Sequence, residues 1–97
     1  MRVYWTDTAL GHLKSIHEYI SQNSREYAKR TVDRLTRRSE QVGEFPQSGR
    51  IVPEVGAGQI REVIEGPFRL IYIIKSDRVD VLAVIHGAQD LFREFSS

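Results

Sequence analysis

Two arginines and a histidine stand inside otherwise apolar, β-type sequence in the last third of this chain, and their types and spacing are those that could do chemistry. Arg61 lies in the run Gln59–Ile64, Arg69 in Phe68–Ile74, and His86 closes Val79–His86. A guanidinium on a sheet can grip a phosphate or carboxylate through paired N–H groups. An imidazole, with an ordinary pKa near 6.5, suits proton transfer. Each residue also has an ordinary structural use. Arg69 can close a cross-strand ion pair with Glu62 or Glu65, Arg61 can do the same, and His86 can serve as a hydrogen-bonded structural histidine. Arg30, Arg34, Arg37 and Arg38 make a further basic cluster, but Glu26, Asp33 and Glu40 lie at salt-bridge spacing from them, which reads as a mixed, solvated helix face. It is still the most basic surface in the sequence.

Composition narrows the chemistry. The 97 residues include no cysteine and three scattered histidines, so disulfides, thiolate metal sites and a histidine zinc site are not expected, and no cofactor is called for. Apolar runs are shorter than the roughly 18 residues of a membrane span, and a soluble, cytoplasmic chain is expected. A net charge of +1 does not by itself demand a nucleic-acid partner. The length fits one domain, residues 1–97, with a core small enough for a partner to add to its stability.

The elements that must hold these residues follow from periodicity. Arg2-Val3-Tyr4-Trp5 alternates as an edge strand, and Thr6 or Asp7 offers an N-cap oxygen. Ala9, Leu13, Ile16 and Ile20 then form one stripe of a helix. Ser24 can cap a second helix, in which Ala28, Val32, Leu35, Ser39 and Val42 make the inner stripe and Gly43 is the expected C-cap. The short polar break between them makes an antiparallel hairpin. Residues 44–58 carry Pro46, Gly49, Pro53, Gly56 and Gly58, with Phe45, Ile51, Val52 and Val55 as expected anchors, and are expected to wrap the sheet edge. The three C-terminal runs, joined by turns at Glu65-Gly66-Pro67 and Ser76-Asp77-Arg78, form an antiparallel meander. Trp5 and Tyr72 read as packing residues. After His86, Leu91, Phe92 and Phe95 fall on a short amphipathic helical tail. The fold class is therefore α+β: an N-terminal strand and a two-helix hairpin on a small antiparallel sheet, in the order β-α-α-β-β-β.

Tyr4-Trp5-Thr6 with the Ala9 to Ile20 stripe, the loop Phe45 to Glu54, Ile60-Arg61-Glu62, Phe68-Arg69-Leu70-Ile71-Tyr72, and Val84-Ile85-His86-Gly87 with Asp90-Leu91 together resemble the RelE/ParE toxin superfamily, most closely its ParE branch. The similarity runs over nearly the whole chain and implies this same element order. It further implies a type II toxin held by a cognate antitoxin, with operator DNA engaged only through that antitoxin. Homodimer and toxin–antitoxin heterotetramer assemblies both remain open. Members of the ParE branch inhibit DNA gyrase, whereas RelE-like members cleave mRNA on the ribosome.

Cleavage of RNA through its 2′-OH requires a base, an acid and cations around the phosphorane. The resemblance places the strand arginine at Arg69, with His86 as a weak second catalytic candidate. The lysines expected on the preceding strand fall near Ile60 and Glu62, the arginine after the His-Gly pair is Gln89, and the C-terminal tyrosine is closest to Phe95. Each lost contact of this kind is worth about 3–4 kcal/mol, which disfavours the nuclease. Gyrase inhibition is the expected activity. Ribosome-dependent mRNA cleavage is the alternative, and a non-toxic antitoxin-binding module is the third reading. The residues expected to meet target or antitoxin are Arg61, Arg69, His86, Gln89, Leu91, Phe92, Arg93 and Phe95.

Overall fold

Strand β1 (Arg2–Trp5) passes directly into helix α1 (Asp7–Ser21) because Thr6 is extended and its hydroxyl accepts the Ala9 N–H at 3.1 Å. Ser24 starts α2 (Arg25–Glu44) the same way, accepting the Tyr27 N–H at 3.1 Å. A 3-10 turn at Pro46–Ser48 leads to β2 (Arg50–Ile51), followed by β3 (Ile60–Glu65), β4 (Phe68–Ile74) and β5 (Arg78–His86). These elements come from a computed structural model that describes residues 1–87. The expected helical tail lies outside the described residues.

The five strands form one sheet in the order β1-β5-β4-β3-β2. β3, β4 and β5 are the expected meander, and β2 extends it at the β3 edge. The sheet is mixed, not wholly antiparallel: β1 pairs in parallel with β5, Val3 opposite Val79 and Trp5 opposite Val81. Alternation marks a strand but carries no direction, and no hairpin turn joins β1 to β5 to force one. β1 ends at Trp5 while β5 runs on to His86, and α1 takes over beside the unpaired stretch. There the Thr6 hydroxyl donates to Val81 O at 2.9 Å, and His12 Nδ1 accepts the Val84 N–H at 3.2 Å. This lies at a bulge, where Leu82 is the extra residue between the Ile71–Ala83 and Tyr72–Val81 pairs.

One sheet face packs under the helices. Ala9, Leu35, Val42, Val63, Leu70, Tyr72, Val79, Val81 and Val84 are buried there, with Val3, Trp5, Leu13 and Ile16 packed against them. The other face carries a smaller cluster, Val52, Ile71, Ala83 and Ile85. Of the four anchors expected in the connecting segment, Val52 alone is buried; Phe45, Ile51 and Val55 are exposed. The segment is tied down by hydrogen bonds more than by apolar contact.

Gly43 is not a helix cap. The helix continues to Glu44 and is closed by Phe45, whose N–H donates to Gln41 O at 2.9 Å. A Cβ at Gly43 would stand 2.6 Å from Val3 Cγ2 and 2.8 Å from Met1 O, so the glycine lets α2 lie against β1.

Candidate functional site

Register decides what the two sheet residues with catalytic promise can do together. Arg69 pairs with Ile64 and Ile85, and so projects on the face away from the helices, beside Glu62. His86 pairs with Phe68, on the helix face. The arginine and the histidine therefore point to opposite sides of the sheet, and they cannot share one phosphate.

Arg69 is already neutralised. Its Nε donates to Glu62 Oε1 at 2.5 Å, and Nη1 and Nη2 donate to Glu54 Oε2 and Oε1 at 2.9 and 3.0 Å. Glu62 accepts a further bond from Arg50 Nε at 2.6 Å. Two guanidiniums and two carboxylates thus close a network whose inner members are nearly dry, with the Glu62 side chain 0% and Arg69 9% exposed. Hydrogen bonding to Glu54 raises the Arg69 pKa further, against its burial, and the same bond holds Glu54 below its ordinary carboxylate range. The cross-strand ion pair with Glu62 is present as anticipated. Glu54 is the partner that sequence reasoning missed, because it reaches the sheet from a loop whose path no periodicity reveals.

Arg61 makes no carboxylate pair of the kind expected. Its Nη1 donates to Gly49 O at 2.9 Å and Gln47 O at 3.4 Å, and its Nε to Gly58 O at 3.2 Å, so it clamps carbonyls on both limbs of the connecting segment. Tyr72 fastens the same segment from below: its buried hydroxyl donates to Pro46 O at 2.6 Å and accepts the Gly49 N–H at 3.0 Å. Burial raises the Tyr72 pKa and keeps the hydroxyl protonated. Gly49 is required by this close approach, since a Cβ there would meet the Tyr72 hydroxyl at 2.5 Å and Glu62 O at 2.6 Å.

His86 lies edge-on to Phe68, with ring centroids 6.2 Å apart at 81°. Both line an open groove of about 650 Å³ under the helix hairpin, with Ile16, Tyr19, Ile20 and Tyr27 on its other wall. Tyr19 is 73% exposed there, a large aromatic ring left at the surface. The sequence marked Ile20 as core, yet it forms groove wall. Gln89, Leu91, Phe92, Arg93 and Phe95 lie outside the described residues. Among the described residues, no three His, Asp or Glu side chains converge as metal ligands do.

Residues 3–91 match the ParE toxin of the type II toxin-antitoxin system parDE. This chain belongs to that family. As a ParE-family toxin it has a cognate antitoxin for a partner. It is 30% identical over 89 residues to Toxin RelE2 of Caulobacter vibrioides, covering 91% of this chain and 97% of the relative. It is 33% identical over 93 residues to Y4kP of Sinorhizobium fredii, covering 91% of this chain and 90% of the relative. Its fold matches a chain of the chromosomal ParDE system of P. aeruginosa with a TM-score of 0.74, over 89% of this chain and 95% of that one, at 20% identity. The ParE-family fold, with one terminal strand and a helix hairpin on a meander, is thus shared where most side chains differ.

Proposed function

We propose that this ParE-family toxin acts in the cytoplasm by inhibiting DNA gyrase and is silenced when its antitoxin occupies the apolar groove under the helix hairpin. The observation that carries the first part is the state of Arg69. A phosphate clamp needs an uncommitted guanidinium, and this one is bonded to two carboxylates, one of them fully buried. With His86 on the opposite sheet face, acid-base chemistry on RNA has no shared centre among the described residues. Inhibition by docking makes no such demand. For the antitoxin, Tyr19, Tyr27 and Phe68 supply the aromatic anchors on which interfaces depend. Arg69, expected to meet target or antitoxin, needs no carboxylate from the antitoxin, because Glu54 and Glu62 already neutralise it.

Ribosome-dependent mRNA cleavage is the second reading, and the name of the Caulobacter relative, Toxin RelE2, favours it. A supercoiling assay with purified gyrase, with and without the antitoxin, tests the proposal. Inhibition that the antitoxin reverses supports it. Unchanged gyrase activity together with codon-positioned mRNA cuts on ribosomes would move the assignment to the second reading. Neither effect, with antitoxin binding intact, would leave a non-toxic binding module.

A further inference from the structure

One flank of α2 holds arginines that pair with no carboxylate among the described residues. Arg30, Arg34 and Arg37 are exposed and Arg38 is half-buried. The ion pairs that spacing suggested with Glu26, Asp33 and Glu40 do not form: among the described residues, no carboxylate lies within 4.0 Å of these four guanidiniums. Arg30 instead lies over the Tyr27 ring, 5.9 Å from its centroid, and Arg38 Nη1 donates to Gln41 Oε1 at 3.0 Å. At about 3.6 residues per turn, positions 30, 34, 37 and 38 fall within about 100° of arc, and Glu26, Asp33 and Glu40 run along one edge of that stripe.

We infer that this stripe binds the phosphate backbone of duplex DNA directly. From Arg30 to Arg38 the helix rises about 12 Å, a length over which B-DNA presents about seven phosphates. The stripe holds no large aliphatic side chain, as the apolar residues of α2, Leu35 and Val42 among them, are turned into the core. A protein interface would need such a centre, whereas a phosphate backbone needs cations alone. A single strand would want stacking platforms between the arginines, and Tyr27 stands at the end of the stripe with Arg30 over its ring. The wide major groove of B-DNA admits a helix and its flanking arginines, while the deep, narrow one of duplex RNA does not. The contact is independent of gyrase and of the antitoxin, and adds a direct route to DNA where only an indirect one was expected.

Fluorescence anisotropy of the purified chain on a labelled duplex DNA of arbitrary sequence tests this. Four phosphate contacts predict an affinity that falls about 100-fold between 50 and 200 mM salt. Replacing Arg30, Arg34 and Arg37 together by glutamine should abolish most binding, and Arg34→Gln alone should flatten the salt slope by about one. Lys14→Gln on α1 should change nothing, and circular dichroism checks that each variant folds. Binding unaltered in the triple variant, absence of binding at low salt, or equal affinity for duplex RNA or polyglutamate would each overturn the proposal.

Discussion

Glu62 is the charge on which the sheet's polar network depends. It is buried between Arg50 and Arg69, so Glu62→Ala would leave a nearly dry guanidinium without its inner partner. Removing one member of a buried pair costs about 3–5 kcal/mol, and urea unfolding of this variant should show a loss of that size. Glu54 tests the outer half of the network differently. Its folded pKa lies below its ordinary value of 4.5, so its bond to Arg69 adds stability above that value and loses it as pH falls through the lowered one. Acid titration of stability should therefore show a limb below the ordinary value that Glu54→Gln removes. The two partners of Arg69 also mark how far a sequence can be read. Glu62 was legible, because counting back from the turn of a meander hairpin puts it on the same sheet face as Arg69, diagonal to it. Glu54 was not, because its position depends on how Tyr72 and Arg61 fold a glycine-rich segment back onto the sheet.

At the level of elements, glycines separate local propensity from packing. Gly11 sits in α1 with no atom within 4 Å of the place a methyl group would take, so Gly11→Ala should stabilise by about 0.5–1 kcal/mol through helix propensity alone. Gly43→Ala would gain the same propensity and yet press a methyl into Val3 and the Met1 carbonyl. Overpacking of this kind costs about 1–3 kcal/mol, so thermal unfolding of the two variants should shift in opposite directions. The sequence announced both helices, the cap at Ser24 and, as one of two candidates, the cap at Thr6, since a capping oxygen acts within one turn of its own chain. It misplaced the role of Gly43 because a glycine near a helix end serves either a cap or a close neighbour, and only the neighbour's position distinguishes them.

For the whole molecule, the groove below the hairpin and the arginine stripe of α2 meet at Tyr27, which lines the groove and carries Arg30 over its ring, so they are told apart at residues away from Tyr27. Tyr19→Ala removes an exposed anchor from the groove without touching the core, and should weaken antitoxin binding by about 2 kcal/mol, some 30-fold, in calorimetry while leaving the DNA contact unchanged. What the sequence by itself determined is the order of elements, the helix stripes, the three-strand meander and the ParE resemblance, all of which rest on interactions between near neighbours or on spacing that survives divergence. The tertiary structure alone decided that β1 lies parallel to β5, that Glu54 joins Glu62 on Arg69 while Arg61 clamps a loop, and that the arginines of α2 stand clear of their carboxylates. Those outcomes depend on strand register and on where a long segment returns to the sheet. Register turns a side chain from one face to the other with a shift of a single residue, and no local pattern in Arg69 or His86 records which face it will take.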